Sequence, residues 1–108
     1  MLRLKSAIYV QALIRRCEAA GANAYLVRRG AEEAGAVFIK LNRLDGSCTV
    51  LSPARRGEEL VWTRPLGEAA SETQAAEYFA KQLRFDPDIW ILEIEDRAGR
   101  AFVDEPIV

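Results

Sequence analysis

Five carboxylates fall within the eleven residues from Asp86 to Asp96: Asp86, Asp88, Glu93, Glu95 and Asp96. Glu93 and Glu95 close an apolar run, Ile89-Trp90-Ile91-Leu92-Glu93-Ile94-Glu95, that reads as a strand. Side chains two apart on a strand point the same way, roughly 7 Å apart. With Asp86, Asp88 or Asp96 close by, such a pair could hold Mg²⁺ or Mn²⁺ through oxygen ligands. The simpler reading is that Asp86 and Asp88 shape a turn while Glu93 and Glu95 face water.

The segment also approaches the Pro-Asp…(Asp/Glu)-x-Lys arrangement of metal-dependent nucleases. Glu95 stands where that pattern needs a lysine, so nothing is placed to orient an attacking water. Other chemistry is excluded outright. The 108 residues contain no histidine, which removes the commonest general base and the commonest metal ligand. Ser-His-Asp and Cys-His arrangements are impossible within one chain. Two cysteines, Cys17 and Cys48, cannot make a four-cysteine zinc site in a monomer. Neither GxGxxG nor GxxxxGK(S/T) occurs. No cofactor is expected.

Two arginine pairs are the second candidate. Arg28-Arg29 precedes Gly30, and Arg55-Arg56 precedes Gly57. Either could grip a phosphate or a carboxylate. A sequence pI near 5.5, with Tyr25 the one aromatic near either pair, argues against nucleic acid and for an acidic patch on a protein. The net charge of −1 hides an asymmetry: residues 1–64 hold 11 Lys/Arg against 6 Asp/Glu, and residues 86–108 hold 2 against 7.

The elements that must position these groups follow from periodicity. Ser6 reads as the cap of a first helix running to about Ala20, with Gly21 as its stop. Val10, Leu13, Ile14, Cys17 and Ala20 form its apolar stripe. Short strands are expected over Ala24–Arg28 and Ala36–Arg43. Asp45-Gly46 predicts a two-residue hairpin that sets Leu41 opposite Val50 and Arg43 opposite Cys48, with Val37, Ile39, Leu41, Cys48 and Val50 on one core face. Ser52–Gly57 reads as a loop with a basic tip, followed by a strand over Glu59–Arg64. Ser71-Glu72-Thr73-Gln74 is a capping box opening a second helix whose stripe is Ala76, Phe79, Ala80 and Leu83. Pro87 ends it near Arg84. Ile89–Glu95 is the strongest strand, and Ala101–Val103 a candidate last one. The order is α-β-β-β-β-α-β(-β): one α+β domain over residues 1–108, with a mainly antiparallel sheet of about five strands and two helices packed on one face.

Three stretches also resemble a known family: Arg3-Leu4-Lys5-Ser6, the run from Arg28 to Ile39, and the run from Phe85 to Arg97. Together they are similar to the small alphaproteobacterial proteins of domain-of-unknown-function family 1491. The resemblance implies a bacterial, intracellular, single-domain protein. It brings no activity, cofactor or catalytic residue with it.

The expectation is therefore a cytoplasmic chain with two reduced thiols and no membrane span. Its function is expected to be non-enzymatic: a protein-interaction or adaptor module that also pairs with a second copy. A divalent-metal hydrolase built on segment 86–96 is the alternative, and a phosphate or nucleic-acid binder built on the arginine pairs is another. The contact residues would be Arg28, Arg29, Arg55, Arg56, Ile89, Ile91, Glu93 and Glu95. Ile89 and Ile91 matter because Trp90, Leu92 and Ile94 fill the other face of their strand. If both helices cover that other face, a homodimer must cover this one.

Overall fold

The computed structural model describes residues 4–108; Met1, Leu2 and Arg3, which open the N-terminal segment, lie outside the described residues. The first helix, α1, spans Ser6–Ala19 and ends at Gly21, whose φ is +83°. Ser6 does not cap it. Ser6 is already inside the first turn, and its hydroxyl donates to Gly35 O (2.6 Å). The exposed amides of the first turn are met by a distant loop: Ser6 N donates to Glu33 O (3.1 Å) and Ala7 N to Glu32 O (3.0 Å). Val10, Leu13 and Cys17 are buried as their spacing predicts; Ala7 joins them and Ala20 stays exposed.

The strands are β1 (Asn23–Arg28), β2 (Val37–Asn42), β3 (Ser47–Arg56), β4 (Glu59–Thr63), β5 (Ala70–Ser71) and β6 (Trp90–Glu95), with α2 (Glu72–Phe85) between the last two. They form one sheet in the order β1-β6-β2-β3-β4, with β5 beside β3. Only β2 and β6 pair in parallel. The α+β class, the two helices and the mainly antiparallel sheet are as expected, with six strands. β6 is central because it is apolar on both sides, which only an inner strand covered on both faces can satisfy.

That cover corrects one expectation. The helices lie on opposite faces of the sheet. Trp90, Leu92 and Ile94 pack in the cluster that holds α1 residues Val10, Leu13 and Cys17. Ile89 and Ile91 pack with Phe38, Val50, and Ala75 and Phe79 of α2. Ile89 is 1% and Ile91 4% exposed, so their own chain covers them and they offer no surface to a second copy.

Local corrections follow from turn chemistry. The β2–β3 register pairs Lys40 with Val50 and Asn42 with Cys48, one residue away from the two-residue hairpin. Asn42 Oδ1 accepts from Leu44 N (2.9 Å) and Asp45 Oδ1 from Ser47 N (2.9 Å). These side chains wrap a three-residue loop in which Leu44 and Gly46 both have positive φ. A one-residue slip moves a strand to the other face. Cys48 and Val50 therefore share a cluster with Phe38, while Val37, Ile39, Leu41 and Leu51 face α1. Residues 52–56 are strand, not loop. Pro53 is tolerated because it lies past the last β2 partner of β3, Leu51. The capping box is present, with Ser71 Oγ accepting from Gln74 N and Gln74 Oε1 from Ser71 N. The buried residues of α2 are Ala75 and Phe79, with Ala76 and Ala80 exposed. Residues 101–103 form no strand; the tail instead meets β4 through a parallel bridge between Ile107 and Trp62.

Both thiols are fully buried, on opposite faces of the sheet, and burial pushes each above the ordinary thiol pKa. Cys17→Ala and Cys48→Ala should each cost on the order of 1 kcal/mol. In the folded protein neither thiol should react with a charged thiol reagent until denaturant is added. Rapid labelling under native conditions would contradict this packing.

Candidate functional site

One carboxylate of the acidic segment sits in a buried polar cluster, and its oxygens are already spoken for. Among the described residues Glu93 is the one buried acidic residue, at 8% exposure. Its neighbours come from both flanking strands, because Tyr25 of β1 and Lys40 of β2 stand opposite it in register. Tyr25 Oη donates to Glu93 Oε2 (2.8 Å) and Asn42 Nδ2 donates to the same oxygen (3.1 Å). Lys40 Nζ lies 3.5 Å from Glu93 Oε1 and forms a short hydrogen bond with Glu72, the first residue of α2. Burial alone would lower the Lys40 pKa; the Glu72 hydrogen bond and the Glu93 charge outweigh it and hold the ammonium above its ordinary value. The Tyr25 phenol is held well above its usual pKa, first by its hydrogen bond to Glu93 and then by burial. A carboxylate accepting from a phenol and an amide and paired with an ammonium is a satisfied buried charge.

The other carboxylates of the segment are scattered. Glu95 is half-buried and receives two long contacts, from Asn23 Nδ2 and Tyr25 Oη, each 3.4 Å. Asp86 Oδ1 accepts from Asp88 N (2.9 Å), the turn geometry expected of it. Asp96 is clasped by Arg100 through Nε (3.0 Å), Nη2 (2.9 Å) and the backbone N–H (2.7 Å), and that bond pattern lowers its pKa. Among the described residues no group of three or more His, Cys, Asp or Glu is placed to hold a metal ion.

The arginine pairs are engaged separately. Arg28 Nη2 donates to Pro87 O (2.8 Å), and the Arg29 guanidinium sits 5.2 Å over the Trp90 ring. Arg55 and Arg56 end β3. Arg55 reaches Glu58 O (3.3 Å) and Arg56 reaches Glu59 (3.5 Å) across the turn. Arg55 also lines an open groove of about 730 Å³ whose wall includes Tyr9, Trp62 and Glu105. There Glu105 Oε1 accepts from both Tyr9 Oη (2.7 Å) and Trp62 Nε1 (3.1 Å).

Exposed apolar side chains also line one edge of the sheet. β1 is an edge strand, paired among the described residues only with β6. Tyr25, Leu26 and Val27 in its middle are 44%, 37% and 54% exposed. A bulge between Leu26 and Arg28 limits the straight run to Asn23–Leu26. The opposite edge, β4, is covered: Trp62 N donates to Pro106 O and Val108 N to Trp62 O, both at 2.8 Å. Among the described residues, no backbone bond outside the β1–β6 ladder involves residues 23–28.

Residues 4–104 match the family model described as "Protein of unknown function (DUF1491)". The chain belongs to the DUF1491 family. A crystal structure of a DUF1491 family protein from Caulobacter crescentus is similar to it at 42% identity and TM-score 0.89, covering 98% of this chain and 100% of that one. An NMR structure of a Caulobacter crescentus DUF1491 protein is 42% identical, with TM-score 0.87 and coverage of 100% and 99%. A solution structure of a protein from A. tumefaciens is 33% identical, with TM-score 0.80 and coverage of 99% and 100%. Among curated proteins, none matches the chain. Among the described residues no helix is long and apolar enough to cross a membrane.

In this DUF1491 chain the described parts of the three segments that resemble the family meet in one place. Loop 30–35 closes over the turn before β6, with Ala31 N donating to Asp88 O (2.9 Å) and Trp90 Nε1 to Ala31 O (2.7 Å). The same loop receives the first turn of α1 through Glu32, Glu33 and Gly35. Sequence reasoning singled out the carboxylates but not Tyr25, Lys40 or Asn42, which satisfy the buried one. The available signal was register: residues two apart on adjoining strands of a central strand that carries a glutamate.

Proposed function

We propose that this DUF1491 protein is a protein-interaction module that receives an extended segment of a partner along β1. The observation that carries this is the asymmetry of the two sheet edges. β4 is closed by the C-terminal tail, while among the described residues nothing bonds the outer backbone of β1, where three apolar side chains are exposed. An open edge supplies main-chain hydrogen bonds for affinity, and alternate side chains supply specificity. Edges left open without a partner are an aggregation hazard, so an uncovered apolar one asks for a use. The hydrolase reading has less support, because both oxygens of Glu93 already have donors. The phosphate reading has less support too, because all four arginines have partners of their own.

The test is affinity capture from a bacterial extract on immobilised protein. Leu26→Lys, with its fold checked by thermal melting, should release the captured proteins that the unaltered chain retains. Retention indifferent to Leu26→Lys, but lost on substituting Arg55 in the groove, would move the interaction to the other side of the molecule.

A further inference from the structure

We infer that the partner of the β1 edge is a second copy of this chain, added antiparallel about a twofold axis at Tyr25. The inference rests on β1 being the interaction edge and adds the identity of what sits on it. A twofold axis perpendicular to the sheet keeps equivalent faces on the same side. It therefore runs through a residue, so that paired side chains point the same way. Centring on Tyr25 sets the two copies of Tyr25 opposite each other and, within the straight run before the bulge, Ala24 opposite Leu26 of the second copy. The exposed Tyr25 rings would then cover each other, and Leu26 would cover Ala24.

Charge favours the same arrangement. β1 ends in Arg28, while its start lies beside the acidic end of β6: Asn23 is opposite Glu95 and Tyr25 opposite Glu93. Antiparallel addition carries the arginine end of each copy to the acidic end of the other. Both participants have capacity to spare. Glu95 is half-buried and its two contacts are long, at 3.4 Å. Among the described residues Arg28 donates one hydrogen bond, from Nη2 to Pro87 O, and its Nε is buried. Parallel addition would instead set arginine beside arginine. Such an isologous pair would fuse two sheets into one, with the α1 helices on one face and the α2 helices on the other.

Sedimentation equilibrium on the full chain, together with cysteine cross-linking, tests this. The expected result is a concentration-dependent dimer that weakens with added salt. Its dissociation constant should rise at least about tenfold in Leu26→Lys, and also rise in Glu95→Lys. Tyr25→Cys should oxidise to a covalent dimer, because on-axis residues of an antiparallel pair have Cα atoms about 4.5–5.5 Å apart, within disulfide range. The native thiols are buried and give no background. A monomer at every concentration, with no Tyr25→Cys dimer, overturns the inference. If Leu26→Lys still releases captured proteins in that case, β1 remains an interaction edge for other partners. A dimer that survives Leu26→Lys, with Tyr25→Cys uncross-linked, also overturns it, because the copies then meet elsewhere.

Discussion

Gly30→Ala should destabilise the protein by about 3 kcal/mol, a large effect for one methyl group. A Cβ at Gly30 would collide with Asp88 O and stand 2.6 Å from both Ile89 C and Trp90 Cδ1. Two of these are backbone atoms at the entrance to β6, so no flexible side chain can move aside. Relief would have to come from shifting the loop away from the turn. That shift would break the Ala31 N–Asp88 O bond and the Trp90 Nε1–Ala31 O bond. It would also disturb the first turn of α1, whose amides depend on Glu32 and Glu33 carbonyls. Gly35→Ala should behave alike, because its Cβ would meet Asp88 O and, at 2.9 Å, Ala31 N and O. The urea midpoint, followed by tryptophan fluorescence, reads the loss directly. An unchanged midpoint in both variants would mean the loop does not lie on the turn as described.

That closure explains how much of the molecule was legible in the sequence. Elements with their own local signal were placed well. The capping box at Ser71 and Gln74 is a local device and is where its spacing puts it, and so are Val10, Leu13 and Cys17 of the α1 stripe. The two-sided apolar character of β6 called for cover on both faces, but a helix on each face supplies it and not a second copy. What failed depended on groups distant in sequence. Ser6 reads as a cap in the sequence because nothing in its neighbourhood tells that Gly35 O will claim its hydroxyl. The hairpin slipped by one because the Asn42 and Asp45 side chains, not the Asp-Gly pair alone, set the loop length. The slip put Cys48 and Val50 on the wrong face, and with it went the clue that α2 has apolar surface to cover. The segment 52–56 was read as loop from Pro53, whose missing N–H matters only where a neighbouring strand asks for it. The family-like segments carried the strongest pattern in the chain. That pattern describes a place where three distant stretches pack, so it announced structure more than chemistry.

Glu93→Ala should cost about 3 kcal/mol, because removing one member of a buried pair strands the groups it served. Three would be stranded: the Tyr25 phenol, the Asn42 amide and the Lys40 ammonium, the last of which keeps Glu72. Glu93→Gln retains an acceptor and the shape, and should cost roughly 1–2 kcal/mol for the lost charge. Tyrosine absorbance gives a readout that mere packing would not move. The hydrogen bond to Glu93 is the leading reason the Tyr25 phenol ionises above its ordinary value, so Glu93→Gln should bring that ionisation down. The sign for stability follows. A phenol whose folded pKa is raised contributes stability present below its unfolded pKa of about 10, and loses it as pH rises through the folded value. Lys40, also raised, acts in the same direction. The stability gap between the unaltered protein and Glu93→Gln should therefore be widest near neutral pH and narrow above about pH 10. Equal stability at neutral pH, with an unshifted tyrosine titration, would show that the contacts around Glu93 do not hold β1 to β6. That link bears on the outer edge as well: Tyr25 is fixed on its inner side by Glu93, which leaves its exposed ring and backbone held in one pose for whatever pairs with β1.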